Sequence, residues 1–176
     1  MKILIIVTHP HLSESVVNKN WIAALEKHPT RFTVHHLDAV YTDGKINVPA
    51  EQALVEQYDN IVFQFPFYWF NCPPLLKQWL DEVLLYGWAY GSSSGKKMQG
   101  KKIALAISLG AEEADYQRSG KFKYSLAELT RPFELTFAYV HADYKGIFAQ
   151  FSAGPESDSQ FNEESAKKYL SFLEQL

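Results

Sequence analysis

The sequence predicts an α/β protein in which five strands alternate with helices. Short apolar runs recur along the chain; each is too short for a confident helix, and such runs are typical of buried parallel strands. The segments that follow most of these runs carry apolar residues at helical spacing. Because parallel strands need right-handed crossover connections, this alternation predicts a parallel sheet with helices on both faces.

The elements follow one another without a linker, a repeat or a low-complexity block, so residues 1–176 are predicted to form a single domain. A kink is expected near Pro132, because proline cannot donate the helical hydrogen bond. The predicted strands are Lys2–Val7, Phe32–Leu37, Ile61–Phe65, Lys101–Ser108 and Lys145–Phe151, and the predicted helices are Ser15–Lys27, Pro49–Gln57, a segment beginning at Pro73 and Pro74, Tyr124 to about Tyr139, and Asn162–Leu176.

The composition argues against several classes of function. The net charge is −3 and the pI is about 6.1, with only short lysine runs, so a nucleic-acid partner has little support. The single cysteine, Cys72, excludes an internal disulfide, suits a reducing compartment, and is either a reactive thiol or a small apolar filler. The apolar runs are too short to cross a membrane and no signal peptide opens the chain, so we expect a cytoplasmic protein.

The segment Asp59–Val83 is the most informative part of the chain. It joins the third strand to an amphipathic helix through a loop that contains Phe67, Tyr68, Trp69 and Phe70. Loops at the carboxyl ends of parallel strands are the usual ligand positions in α/β proteins, and their amides are free to bind. The loop is therefore either the seat of a flat aromatic ligand or a set of aromatics that cap the core.

The loop after the first strand is suited to phosphate. It runs from Thr8 into the first helix, where the unpaired amides of the helix start and side chains such as His9, Ser13 and Ser15 offer donors. An ordinary N-cap by one of the serines is the alternative. Neither a G-x-G-x-x-G sequence nor a Walker lysine loop is present, which disfavours a dinucleotide-binding domain or a P-loop NTPase.

The loop after the fourth strand offers a close approach at Gly110 and a phenol at Tyr116. Tyr116 either contacts a ligand or packs on its neighbours. The acidic residues Glu112, Glu113 and Asp115 suggest a solvated face more than a metal site. The histidines lack zinc spacing, and no Ser-His-Asp set can be argued. Since all three loops follow strands, they gather at one edge of the sheet, and the combination of a phosphate site with two ring sites suits flavin mononucleotide.

Four stretches of the chain resemble the flavodoxin-like NAD(P)H:quinone oxidoreductases, and in particular their potassium-efflux ancillary and general-stress members. These are His9-Pro10 with Ser15 and Asn18, the FQFPFYWF-x-x-PPLLKQWLDEVL segment, YGWAYG at 86–91, and SLAELTRPFELT at 125–136. The resemblance implies a flavodoxin-like sheet of order 2-1-3-4-5, a homodimer and a tightly bound flavin; it favours FMN, with FAD as the alternative.

The resemblance also implies roles for individual residues. His9, Ser15, Val16, Val17 and Asn18 would hold the phosphate and ribityl chain; Pro66, Phe67, Tyr68, Trp69 and Phe70 would line the flavin ring; Ser108, Leu109, Gly110 and Ala111 would form the turn beside it; and Tyr116 would lie near the ring carbonyl as the candidate catalytic residue. Leu109 and Ala111 depart from the family's hydroxyl residue and glycine, and Phe122 stands where some relatives carry a histidine.

These residues lead to a hypothesis of two-step hydride transfer, from NAD(P)H to flavin N5 and then to a quinone at the same place. Trp69, Phe70, Trp88 and Tyr90 are expected to give the substrate flat apolar walls. A second hypothesis makes the chain a regulatory subunit of a glutathione-gated potassium-efflux membrane system, with secondary reductase activity. A third, an electron carrier of flavodoxin type, fits less well because the net charge is only mildly negative.

Overall fold

The structure is a computed structural model that describes residues 2–91 and 95–176. Its centre is a five-stranded parallel sheet of order β2-β1-β3-β4-β5, as predicted. The strands are β1 (Ile3–Val7), β2 (Phe32–His36), β3 (Asn60–Pro66), β4 (Lys102–Ser108) and β5 (Asp143–Gln150), and the helices are α1 (Val16–Glu26), α2 (Leu37–Val40), α3 (Val48–Glu56), α4 (Pro74–Val83), α5 (Leu126–Leu129), α6 (Arg131–Tyr139) and α7 (Ser159–Leu173).

Two hydrophobic cores lie on opposite faces of the sheet, because both faces of its central strands are apolar. Helices α1 and α7 cover one face, where Ala104 and Ala106 of β4 leave room for the large rings of Trp21 and Tyr169. The indole of Trp21 donates to Ser165 Oγ (2.8 Å), which links the two helices. On the other face, α4 and α6 pack on β3 through contacts such as Phe63 with Trp79 and Phe137.

The largest difference from the predicted elements is in the segment after residue 124. One kinked helix was expected from Tyr124 to Tyr139, but the chain forms two helices that meet at Thr130. Ser125 and Glu128 form a capping box that starts α5, and Pro132 lies in the first turn of α6, where its missing N–H costs nothing. Proline in the middle of a longer helix would clash with the preceding turn, so it begins a new helix instead.

Smaller differences concern the ends of elements. Leu37 was placed in the second strand, but it begins the four-residue helix α2. Strand β5 begins two residues earlier than predicted and carries an irregular register opposite β4. Helix α7 begins at Ser159 because Asp158 caps it, with Oδ1 accepting from the Phe161 amide (2.7 Å). Among the described residues, no helix combines the length and apolarity that crossing a membrane requires.

Candidate functional site

A cavity of about 440 Å³ lies at the carboxyl edge of the sheet, where the loops after β1, β3, β4 and β5 meet. This is the position at which open α/β sheets bind ligands. The residues that line it are His9, His11, Glu14, Ser15, Val16, Val17, Asn18, Pro66, Phe67, Tyr68, Ser108, Gly110, Ala153, Gly154 and Pro155.

One end of the cavity is formed by the start of α1. Ser15 caps the helix, with its hydroxyl oxygen accepting from the Asn18 amide (3.2 Å). Within the described chain, the amides of Val16 and Val17 have no hydrogen-bond acceptor. Unpaired amides and the positive end of a helix dipole attract anions. No lysine or arginine of the described residues lines the cavity, so amides, hydroxyls and imidazoles are the groups that can bind an anion here.

His9 is buried beside the start of α1, and two hydrogen bonds hold it in place. Its amide donates to Asp38 Oδ2 (2.7 Å), and its Nδ1 accepts from the amide of His11 (3.2 Å). Burial lowers the pKa of His9, although the carboxylate of Asp38 opposes this effect. The imidazole is therefore neutral at neutral pH, and because Nδ1 accepts a hydrogen bond, its proton lies on Nε2.

Another side of the cavity is bounded by the loop after β3, whose Tyr68 ring lies 6.2 Å from that of His9. The Asn71 amide donates to the Tyr68 carbonyl (3.0 Å) across Trp69 and Phe70, both of which have positive φ, 49° and 61°. This geometry is a type I′ turn, which normally contains glycine or asparagine. Such backbone conformations are costly for bulky residues and concentrate at functional sites.

The amides of this loop differ in availability. Those of Phe67 and Tyr68 are engaged, donating to the carbonyls of Ser108 (2.9 Å) and Pro66 (3.1 Å), whereas those of Trp69 and Phe70 have no acceptor among the described residues. In the next loop, the Leu109 amide donates to Gln150 O (2.9 Å), while the amide of Gly110 has no partner in the described part of the chain. A Cβ on Gly110 would meet no protein atom closer than 3.9 Å.

A polar network links the start of α1 to β3 and β4, and three of its four members line the cavity. We call it the serine–amide network, and it consists of Ser15, Asn18, Gln64 and Ser108. The Asn18 Nδ2 donates to Ser15 Oγ (3.2 Å) and to Ser108 Oγ (2.9 Å), and its Oδ1 accepts from Gln64 Nε2 (3.2 Å). Asn18 and Gln64 are almost completely buried.

The structure does not bring every predicted site residue to the cavity wall. Leu109 is buried in the core, and Ala111 accepts from the Ser152 amide through its carbonyl. Trp69 is 93% exposed, and Phe70 packs edge-to-face on Phe122 instead of lining the cavity. The other predicted cofactor-binding residues line it: His9, Ser15, Val16, Val17, Asn18, Pro66, Phe67, Tyr68, Ser108 and Gly110.

Tyr116 also lies outside the cavity wall, in a small aromatic group. Its ring is 6.4 Å from that of Phe67, 4.9 Å from Phe122 and 5.6 Å from Phe151. Burial, with a smaller contribution from the charge of Asp115, raises the pKa of Tyr116, so the phenol stays protonated at neutral pH. A catalytic role for Tyr116 therefore stays a prediction.

Trp88 and Tyr90, which were expected to form part of the wall of the substrate site, do not line the cavity. The indole of Trp88 donates to Glu56 Oε1 (2.8 Å) at the end of α3, which leads into the amino end of β3 and so lies at the opposite edge of the sheet. Tyr90 packs on Tyr139 of α6. Residues 153–155 also line the cavity, although they were not among the predicted site residues. Their position shortly after the carboxyl end of β5 could have indicated this.

The structure bears on two questions that the sequence left open, the role of Cys72 and that of the acidic residues after β4. Cys72 is buried, and burial raises the pKa of its thiol to about 11, which favours the apolar filler over the reactive thiol. The acidic residues 112–115 form a short 3-10 turn in which the Glu112 amide donates to Asp115 Oδ2 (3.3 Å). Across residues 2–91 and 95–176, no group of three histidine, cysteine or acidic side chains is placed to hold a metal ion.

The fold and the position of the cavity define a flavodoxin-like protein, and comparison with known proteins agrees. A model of the family described as having a flavodoxin-like fold matches residues 1–173. The chain is 48% identical over 151 residues to the Bacillus subtilis NAD(P)H oxidoreductase YrkL, covering 86% of each protein. It is 42% identical over 137 residues to KefG of Cronobacter sakazakii, a glutathione-regulated potassium-efflux system ancillary protein, covering 78% of this chain and 73% of KefG.

Solved structures give the same result. General stress protein 14 of Treponema denticola, crystallised in complex with FMN, is 56% identical, with a TM-score of 0.95 and 99% of each chain covered. The NADPH-quinone reductase of P. pentosaceus is 30% identical, with a TM-score of 0.86 over 99% of this chain and 97% of the other. The chain belongs to the flavodoxin-like NAD(P)H:quinone oxidoreductase family.

Proposed function

We propose that the chain is an FMN-dependent NAD(P)H:quinone oxidoreductase. The cavity carries this proposal, because it is lined by Val16, Val17 and Gly110, whose amides are unpaired among the described residues, and because an aromatic loop bounds one side of it. The names of the relatives support it: an NAD(P)H oxidoreductase, an FMN complex and an NADPH-quinone reductase. FMN is favoured over FAD because the Treponema relative was crystallised with FMN.

The residues present fit FMN. The cavity volume falls within the range of roughly 300–1,000 Å³ that is usual for ligand pockets. The phosphate would bind at the start of α1, on the amides of Val16 and Val17, with His9, Ser15 and Asn18 around it. The flavin ring would lie toward the 66–70 loop and the 108–111 turn, where the amides of Trp69, Phe70 and Gly110 can donate to its polar edge.

The chemistry of electron transfer belongs to the cofactor: bound FMN would accept two electrons from NAD(P)H and pass them to a quinone. The protein itself binds and orients the cofactor and the substrates and excludes water from them. The unpaired amides favour negative charge at the ring edge, because fixed donors need no reorganisation during the reaction. The exposed Trp69 offers NAD(P)H and then the quinone a flat apolar surface at one shared place, which implies ping-pong kinetics. The protonated phenol of Tyr116 is the candidate proton donor.

Steady-state kinetics of the FMN-loaded protein test the proposal. We expect NAD(P)H to be oxidised much faster in the presence of a benzoquinone than with dissolved oxygen alone. Initial rates measured over a grid of both substrates should give parallel double-reciprocal lines. No acceleration by the quinone rules out the proposed activity, and intersecting lines rule out the shared place. Comparison of NADH with NADPH in the same assay establishes the preferred donor.

A second candidate function is favoured by the similarity to KefG. In this alternative the chain activates a glutathione-gated potassium-efflux membrane protein, and its reductase activity is secondary. Efflux from vesicles that contain such a transporter should then increase when the chain is added. A variant that binds FMN but does not oxidise NAD(P)H should activate equally well; if it does not, the reductase activity is not secondary.

We also propose that the chain forms a homodimer. Large apolar side chains are exposed beside a groove of about 510 Å³ between α4 and α6, among them Leu135 (62% exposed) and Tyr139 (67%), with Tyr86 (69%) nearby. Exposed apolar groups of this size, when contiguous, mark interaction surfaces. Sedimentation equilibrium should give the mass of two chains, and Leu135→Asp with Tyr139→Asp should give one. The matched control, Val40→Asp at an exposed residue of α2, should leave the mass unchanged.

A further inference from the structure

Gln64 is one of two polar residues in strand β3, the other being Asn60 at its start; Gln64 is fully buried and is not part of the cavity wall. Its Nε2 lies 3.5 Å from the backbone carbonyl oxygen of Asn18 and 3.2 Å from Asn18 Oδ1. A backbone carbonyl can only accept hydrogen bonds, so the NH₂ end of the Gln64 amide must face α1. The side-chain oxygen of Asn18 must then face Gln64, because two NH₂ groups would repel.

This orientation decides what the two serine hydroxyls can do. With its oxygen directed at Gln64, Asn18 turns its NH₂ group toward Ser15 and Ser108. The Ser15 Oγ accepts two hydrogen bonds, from the amide and from the side chain of Asn18, and a hydroxyl oxygen has two lone pairs. Its own hydrogen is therefore left to donate elsewhere. The Ser108 Oγ likewise accepts from Asn18 and keeps its hydrogen free. Both serines line the cavity.

We infer that Gln64 is a positioning residue which, through Asn18, makes the hydroxyls of Ser15 and Ser108 hydrogen-bond donors toward the cavity. The cavity is thereby matched to ligand groups that only accept, such as phosphate and ring carbonyl oxygens. This arrangement has a cost: Gln64 Oε1 is buried and has no hydrogen-bond partner among the described residues. The inference rests on the proposed FMN site and names the residue that gives that site its polarity.

Gln64→Glu reverses the network without changing its shape. An ionised carboxylate only accepts, so the Asn18 amide must turn and give its NH₂ group to residue 64. Asn18 Oδ1 then faces the serines, whose hydrogens point inward rather than into the cavity. Gln64 does not line the cavity, so a loss of affinity cannot come from a lost direct contact with FMN. We expect the Kd of FMN to rise by about tenfold or more, as hydrogen bonds to a charged group are lost.

A double-mutant cycle with Ser15→Ala distinguishes this effect from a general disturbance of the fold and from charge repulsion. In the wild-type background, Ser15→Ala should raise the Kd of FMN about tenfold, because a donor to the phosphate is removed. In the Gln64→Glu background the hydroxyl already points inward, so the same change should raise Kd by less than about twofold. The apoprotein is titrated with FMN, and Kd is measured from the quenching of flavin fluorescence. Equal effects of Ser15→Ala in both backgrounds overturn the inference.

Two controls keep the test decisive. Asn60→Asp makes the same amide-to-carboxylate change at a buried residue of β3, at the opposite end of the strand, and should leave Kd unchanged. If the Gln64→Glu protein does not fold by circular dichroism, Gln64→Met replaces it, because an apolar side chain also releases Asn18. The effect of Ser15→Ala should again shrink, and additivity again overturns the inference. If wild-type protein does not bind FMN at all, the proposed function fails instead.

Discussion

Two buried polar clusters lie on opposite faces of the sheet. The serine–amide network lies between β3, β4 and α1, whereas a second group, the Glu51 cluster, lies between β2, α3 and α4 and consists of His35, Tyr41, Glu51 and Trp79. The carboxylate of Glu51 is 1% exposed and accepts from His35 Nε2 (2.8 Å), the Tyr41 hydroxyl (2.5 Å) and Trp79 Nε1 (2.7 Å).

The two clusters differ in where their hydrogen bonds end. In the Glu51 cluster three donors converge on one carboxylate, and none of its four residues lines a cavity described above. In the serine–amide network the chain of hydrogen bonds ends on two hydroxyls at a cavity wall, each with a hydrogen to spare. Burial of polar groups therefore does not by itself identify a binding site. A binding site is indicated instead by hydrogen-bonding groups that face a cavity and have no partner in the protein.

The largest expected effect comes from removing the acceptor of the Glu51 cluster. Glu51→Leu leaves three buried donors without an acceptor, so the free energy of unfolding should fall by about 4 kcal/mol. Urea denaturation of the apoprotein measures this change. At temperatures where the variant is folded, its affinity for FMN should match the wild type, because no residue of the cluster lines the cavity.

The matched control for this experiment is Glu26→Leu, at an exposed residue of α1. It should change the free energy of unfolding by no more than about 0.5 kcal/mol, as is usual for exposed sites. A loss of FMN affinity in folded Glu51→Leu protein would mean that the two clusters are coupled through the sheet. The distinction between a structural and a binding cluster would then be wrong.

The sequence was sufficient to predict the features that depend on hydrophobic pattern. Apolar runs alternating with amphipathic segments allow only a few right-handed arrangements, so the parallel sheet was predictable, and with it the edge at which the loops meet. The sheet order, implied by resemblance alone, is confirmed. The residues Ser15–Asn18 and Pro66–Tyr68 lie at or beyond the carboxyl ends of β1 and β3, which is why they were expected at the cavity they line.

The parts that could not be predicted depend on contacts between distant residues. The sequence does not show that Leu109 is buried in the core while Gly110 lines the cavity, since the Leu109 amide bonds to Gln150 on another strand. The positive φ of Trp69 and Phe70 contradicts their backbone preferences and is imposed by the turn they occupy. Gln64 and Glu51 did leave a trace in the sequence, as polar residues within apolar patterns, but the partner of Gln64 lies 46 positions away and those of Glu51 lie 10 to 28 positions away.

The pH dependence of stability gives a second way to sharpen the comparison. Burial acts to raise the pKa of Glu51, but hydrogen bonds from His35, Tyr41 and Trp79 outweigh it, so the pKa lies below its usual value of 4.5. Unfolding restores the usual value, and the unfolded chain therefore takes up the proton more readily. The stabilisation from this carboxylate is present above about pH 4.5 and is lost as the pH falls through the lowered pKa.

Glu51→Gln isolates this contribution because it cannot titrate. The difference in free energy of unfolding between wild type and Glu51→Gln should be largest at neutral pH and should shrink as the pH falls below 4.5. The two proteins are otherwise identical, so the three donors that lower the pKa of Glu51 are the same in both. Tyr41 does not interfere, because burial, with help from the Glu51 carboxylate, raises its pKa to about 12. A difference that is constant with pH would show that folding does not change the pKa of Glu51, and one that decreases as the pH rises would show that the carboxyl stays protonated in the folded protein.

The smallest effects make the most direct test, since one hydroxyl is removed from each cluster. Tyr41→Phe removes one of three donors to Glu51, and Ser108→Ala removes one acceptor of Asn18, so each should lower the free energy of unfolding of the apoprotein by about 1 kcal/mol. Only Ser108→Ala removes a hydrogen directed at the cavity. Titration with FMN should therefore show a Kd several-fold higher for Ser108→Ala and an unchanged Kd for Tyr41→Phe. Equal Kd values for both variants would place Ser108, like Tyr41, among residues that serve the fold alone.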